Sequence, residues 1–161
     1  MKKEILDILE NDSRITVEDI AQRLGTDTKS VFDAIAEMEE KNIICGYSTL
    51  INWDRTDREY VCAMIEVKVT PQRERGFEKI AERIAGFEQV KAVYLMSGAY
   101  DLLIMLEAKN IKDIAHFVSN KLSTLDSILS TATHFILKKY KDHGVILEKE
   151  NGSDERMIIS P

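Results

Sequence analysis

The sequence predicts an α+β protein built in two parts, and three observations carry that reading. Residues 2–41 place apolar side chains at helical spacing in three short runs, with turn residues between them. From Tyr60 onward the apolar residues follow the order strand, helix, strand, strand, helix, strand. Between the two parts lies a polar stretch, residues 52–59, that shows neither periodicity.

The first helix runs from Lys2 to Glu10, with Ile5, Ile8 and Leu9 on one face, and Asn11, Asp12 and Ser13 break it. Thr16 caps a second helix, with Asp19 three residues on. That helix turns Val17, Ile20, Ala21 and Leu24 inward, and Gly25 ends it in the left-handed conformation. A third helix follows from about Thr28 to Lys41, with Val31, Ile35 and Met38 on one stripe and Asn42 as its stop. Residues 43–51 are extended and apolar. Helix, glycine turn, helix and strand make a winged helix-turn-helix over residues 1–51. Its third helix would enter the major groove, with Thr26, Thr28, Lys29 and Ser30 toward phosphates or base edges and Phe32, Asp33 and Glu37 farther along. A plain trihelical module for packing or dimerisation has the same pattern.

The second part, residues 60–141, opens with a strand that alternates. Val61, Ala63, Ile65, Val67 and Val69 lie on one face and Tyr60, Cys62 and Met64 on the other. Pro71 closes it. A helix over residues 72–85 points Phe77, Ile80, Ala81 and Ile84 inward. Two apolar runs, 90–96 and 102–106, form a hairpin covered on both faces, joined by Ser97, Gly98, Ala99, Tyr100 and Asp101, with Gly98 supplying a positive φ. Asn110 caps a second helix with Ile111, Ile114, Ala115, Val118 and Leu122 toward the core, and residues 130–140 form the last strand. This is a ferredoxin-like βαββαβ order, with both helices on one sheet face. The other face, with Tyr60, Cys62 and Met64, then needs a cover, and sheet-on-sheet self-association about a two-fold axis supplies one. The connector 52–59 holds Trp53, read as packed. In the tail, residues 142–161, two strand-like runs at 145–147 and 157–159 flank a turn at 151–154 and read as an extra hairpin or edge strand.

Composition narrows the function. No apolar run reaches the roughly 20 residues of a membrane span, and residues 1–4 lead into an amphipathic helix rather than an export signal. Cys45 and Cys62 lie 17 positions apart and read as buried thiols of a reducing, cytoplasmic compartment. His116, His134 and His143 have no metal-ligand spacing, so neither metal nor cofactor is expected. No His/Arg cluster or activated nucleophile supports catalysis. The net charge is −6, and residues 1–47 hold six bases against eleven acids. Phosphate neutralisation dominates DNA affinity, so one such domain binds a half-site weakly and depends on Lys29, Arg23 and Arg14 and on several copies acting together. The hairpin link suits a small zwitterion. Backbone N–H groups around Gly98 can take a carboxylate, Asp101 an ammonium group, and Tyr100 offers a flat wall. Thr131 and Thr133 share one face of the last strand.

Taken together in their order, Leu24-Gly25, Val31, Ile35, Met38-Glu39, residues 43–47, residues 97–101 and residues 130–133 resemble the Lrp/AsnC family of feast/famine regulators, over roughly residues 1–141. The resemblance implies a DNA-binding domain joined to a domain for the regulation of amino-acid metabolism. It also implies dimers assembling further, often to octamers, with amino-acid effectors between dimers and Thr131 and Thr133 near the link of a neighbouring subunit. Two features depart from the family. Its usual arginines near Asp33, Ala34 and Glu37 are absent, and Ala99 replaces the first acid of its Gly-Asp-Tyr-Asp link. The expected function is therefore an amino-acid-responsive transcription regulator acting on double-stranded DNA. The alternative is a metabolite-sensing or scaffolding oligomer with weak or no DNA binding. Some tetrapyrrole decarboxylases resemble the family in fold, but the residues supply no catalytic cluster.

Overall fold

The computed structural model describes residues 1–70 and 77–148. Pro71, the start of the helix predicted at Gln72, and the tail segments 151–154 and 157–159 lie outside the described residues. The chain divides into two units, which meet in sequence at Ile51 and Asn52.

The first unit is three helices, α1 (Lys2–Asn11), α2 (Val17–Leu24) and α3 (Thr28–Glu40). Their core is Ile5 from α1, Ile20 and Ala21 from α2, and Val31, Ala34 and Met38 from α3. Ile35, placed on the buried stripe by its spacing, is half-buried, and Ala34 takes the deeper place. The Asp19 N–H donates to Thr16 Oγ1 at 3.1 Å, and the Thr16 hydroxyl donates to Asp19 Oδ2 at 2.8 Å. Gly25 sits at φ 62° and ψ 35°, a left-handed geometry in which a Cβ is strained, so α2 ends there. Asn42 takes φ 53° after α3. The expected strand over residues 43–51 does not form. Among the described residues, no second strand pairs with this extended segment, so it makes no ladder. Ile43, Tyr47, Leu50 and Ile51 are exposed along it. Cys45, read as buried, is also exposed there, its thiol donating to the Asn42 carbonyl.

The second unit follows the predicted order: β1 (Val61–Val69), α4 (Glu78–Ala85), β2 (Val90–Leu95), β3 (Leu102–Ala108), α5 (Ile111–Phe117) and β4 (Ile128–Ile136). The sheet order is β2-β3-β1-β4, antiparallel throughout, which places β1 and β3 at the centre. Ala63, Ile65 and Val67 of β1 stand beside Leu106, Ile104 and Leu102 of β3 and share a core with Ile84, Ile114, Phe117, Leu122 and Leu125. α5 departs from its expected face. It continues into a π-helical turn, Val118–Leu122, in which the Ser123 N–H reaches the Val118 carbonyl. The longer i→i+5 spacing shifts the phase of a 3.6-residue stripe. Before that turn, Phe117 is core, its ring edge-on to Phe87 at 5.3 Å, while Ile111 and Ala115 are exposed.

β4 starts earlier and stops sooner than predicted, at Ile136. An irregularity at Lys68 and Val69 lets Ile128 pair with Val69, and Leu137 leaves the sheet fully exposed. The tail forms its own ribbon, β5 (Lys141–Asp142) with β6 (Val145–Ile146). His143 and Gly144 both take positive φ, the demand of a two-residue type I′ turn. The partner of the 145–147 run is thus Lys141–Asp142. Asn52 Nδ2 donates to the Leu147 carbonyl at 3.1 Å and stitches the connector to this ribbon. Trp53 opens a 3₁₀ turn, Trp53–Arg55, and is half-buried, with the Arg58 guanidinium 4.2 Å above its ring.

Candidate functional site: the third helix and the hairpin link

α3 buries Val31, Ala34 and Met38 and turns Lys29, Phe32, Asp33 and Ala36 outward at i, i+3, i+4 and i+7. Asp27 caps it. The Ser30 N–H donates to Asp27 Oδ1 at 2.9 Å and the Ser30 hydroxyl donates to the other oxygen. Those bonds hold the Asp27 carboxyl below its ordinary range and commit the proton of Ser30. Thr28 and Lys29 are exposed in the first turn, and Thr26 is half-buried before it.

Two of the four acids of α3 have partners. Glu37 lies between Lys2 of α1 and Lys41, each 2.6 Å from one carboxylate oxygen, and the two ammonium groups hold it at about 2. The Tyr47 hydroxyl donates to Glu39 at 2.9 Å. Among the described residues, Asp33 and Glu40 are the α3 acids with no hydrogen bond or ion pair. Lys2 and Lys41 are already among the six bases of residues 1–47, so this pairing localises charge and leaves the acid excess unchanged.

The link between β2 and β3 spans residues 96–101, four longer than a tight two-residue hairpin, so Gly98 has no need of the positive φ expected of it and does not take one. Asp101 closes the loop. Its N–H donates to the Val67 carbonyl at 3.0 Å, its carbonyl accepts from the Met96 N–H at 2.8 Å, and Oδ2 accepts from the Val69 N–H at 2.9 Å. Main chain and side chain together lengthen the β1–β3 ladder by one residue. Sequence reading gave Asp101 a ligand to meet or a turn to cap; its bond to Val69 depends on register, which no local pattern reports. Ser97, Gly98 and Ala99 are exposed and Tyr100 is half-buried.

Thr131 and Thr133 stand opposite Val67 and Ile65, on the helix-facing side of the edge strand β4. α4 packs on β2 and α5 on β3, which leaves both threonines half-buried. Leu102 and Thr131 are the two cross-strand partners of Val67, so the link and the threonines occupy one end of the sheet but are separated within a chain by the width of β1. On the other face, Tyr60 and Met64 are half-buried beside Leu103 and Met105. Cys62 is already 6% exposed within its own chain, and burial pushes its thiol up to about 11. The same face carries His134 Nε2 3.3 Å from Glu66 Oε1. Among the described residues no His, Cys, Asp and Glu group could hold a metal ion, and no helix is long and apolar enough to cross a membrane.

Residues 1–44 match the family model for a winged helix-turn-helix DNA-binding domain, and residues 62–146 match that for an Lrp/AsnC ligand binding domain. The chain is 48% identical over 159 residues to the uncharacterized HTH-type transcriptional regulator YugG of Bacillus subtilis, covering 98% of this chain and 95% of that one. The fold is shared with the leucine response regulatory protein of Mycobacterium tuberculosis, with a TM-score of 0.74 at 17% identity over 91% of this chain and 97% of that one. It is shared too with a transcriptional regulator from Neisseria meningitidis solved with L-Met, with a TM-score of 0.69 at 19% identity over 88% and 90%. A helix-turn-helix unit followed by a ligand-binding βαββαβ unit, matched along nearly the whole chain, makes this protein a member of the Lrp/AsnC family of DNA-binding transcription regulators, which are not enzymes.

Proposed function

We propose that the chain is an oligomeric, cytoplasmic regulator whose ligand-binding unit senses an amino acid at the hairpin link. The observation that carries the proposal is the closure of the link by Asp101. It fixes an exposed run of backbone donors around Gly98 against the rigid centre of the sheet. A ligand carboxylate meets those N–H groups, and its ammonium group meets the outward oxygen of Asp101. The threonines of β4 complete the site from a neighbouring subunit, since β1 keeps them from the link within one chain. A dimer forms through Tyr60, Met64, Leu103 and Met105, and dimers assemble further, as octamers of this family do. The solved complex of the Neisseria regulator with L-Met supports an amino acid as the ligand class. DNA meets the first turn of α3 through Thr26, Thr28, Lys29 and Ser30, with Asp33 beyond.

The test is fluorescence anisotropy on the DNA upstream of the protein's own gene, with and without each of the twenty amino acids. One or more amino acids should shift the affinity, and Asp101→Asn should remove the shift while keeping an acceptor for the Val69 N–H. An unchanged response in Asp101→Asn would take Asp101 out of the site, and no response to any amino acid would overturn the sensor. Lys29→Ala should weaken binding to all sequences and reduce the salt slope by about one.

A further inference from the structure

The outward stripe of α3 has an unusual composition for a surface that meets a polyanion. Phe32 is 62% exposed, although the core of its own unit lies one helix face away. Asp33 beside it is exposed and, unlike Glu37, Glu39 and Asp27 of the same helix and cap, has no partner among the described residues. Lys29 precedes Asp33 by one turn and Ala36 follows Phe32 by one turn. The stripe therefore offers a cation at its start, an aromatic ring and a carboxylate in the middle, and a small residue that lets the helix approach closely.

We propose that Phe32 and Asp33 read sequence in the major groove, Phe32 against a thymine methyl and Asp33 against the amino group of an adjacent cytosine. This rests on the reading of α3 as the groove helix. A carboxylate there cannot contact phosphate, because the charges repel, so its only attractive partners are base donors. The major groove offers two, cytosine N4 and adenine N6. Adenine sets the acceptor N7 beside its amino group, which opposes a second carboxylate oxygen, whereas cytosine has only C–H there. Phe32 has no hydrogen-bonding atom, and the apolar feature of that groove is the thymine methyl. The two residues are neighbours on the helix and face successive base pairs. Such a pair rejects wrong sequences strongly, since Asp33 over guanine O6 or phosphate is repelled. Specificity is thus carried by side chains that add nothing to non-specific affinity, which fits a helix whose one outward cation is Lys29.

The test begins with selection of a preferred duplex from a random library by the full-length chain. Affinities at one fixed salt concentration are then compared for wild type, Phe32→Ala and Asp33→Ala. Both side chains are exposed, and circular dichroism verifies that the variants fold. Replacing the contacted thymidine by deoxyuridine removes one methyl and should weaken wild type about fourfold, with no effect on Phe32→Ala. Exchanging the neighbouring C·G pair should cost wild type about tenfold and leave Asp33→Ala, which has no acceptor for the cytosine amino group, nearly indifferent. The inference is overturned if wild type binds deoxyuridine and thymidine duplexes alike, if Phe32→Ala still discriminates them, or if Asp33→Ala keeps the cytosine preference. It is also overturned if Phe32→Ala changes only the assembly mass, since the ring would then belong to a protein contact. Failure of wild type to bind any duplex would overturn the groove-helix reading as well; binding without thymine or cytosine preference would overturn this inference alone.

Discussion

Asp101 shows how one side chain can serve the fold before it serves a ligand. Replacing it by alanine removes the acceptor of a half-buried backbone N–H, and an orphaned donor of that kind costs about 1–3 kcal/mol. Asp101→Asn keeps an acceptor of similar geometry and should recover most of the loss; urea denaturation of the two variants measures the difference. Glu37 gives a pH signature in the other unit. Its carboxyl is held at about 2 rather than 4.5 by Lys2 and Lys41, so its contribution is complete above 4.5 and is lost as pH falls toward 2. Glu37→Gln should flatten that part of the acid-unfolding profile, followed by circular dichroism, and leave stability unchanged in form above pH 5. The two thiols separate by environment. At pH 8 the exposed Cys45 should react quickly with a disulfide reagent, and Cys62, buried and pushed up to about 11, only on unfolding.

At the scale of elements, α2 is the part whose ends are fixed locally. Gly25→Ala forces a Cβ into a left-handed residue and should cost about 1 kcal/mol, and Thr16→Ala a similar amount through the lost cap; thermal melts of each variant check both. These features were legible in the sequence because cap, glycine and apolar stripe act within one turn. The alternation of β1 was legible for the same reason, since a period of two needs no partner. What could not be read depends on distant residues. The end of β4 follows from register with β1, the inward place of Phe117 from its packing on Phe87, and the absence of a strand after Asn42 from the lack of a ladder partner among the described residues. At the sites, the residues of the link were legible as a cluster of polar types between strands. The bond from Val69 to Asp101 was not, because it joins positions 32 apart.

At the scale of the whole molecule, the sheet face opposite α4 and α5, half-buried among the described residues, is the one on which the proposed second copy docks. Light scattering at micromolar concentration should give a dimer or a larger species, and Met64→Glu, which sets a carboxylate beside Met105 on the proposed interface, should shift it toward the 18.4 kDa monomer. A wild-type monomer would remove the sheet-on-sheet assembly.

The splice of Asp101 into the sheet also makes the molecule its own reporter. The Val69 amide proton is retained by a carboxylate rather than by a carbonyl, so its exchange with solvent deuterium depends on where that carboxylate spends its time. An ammonium ligand that draws the carboxylate outward would loosen one amide in the middle of the chain and leave its neighbours protected. Hydrogen exchange read at that single position would follow effector occupancy with no dye, no label and no DNA present.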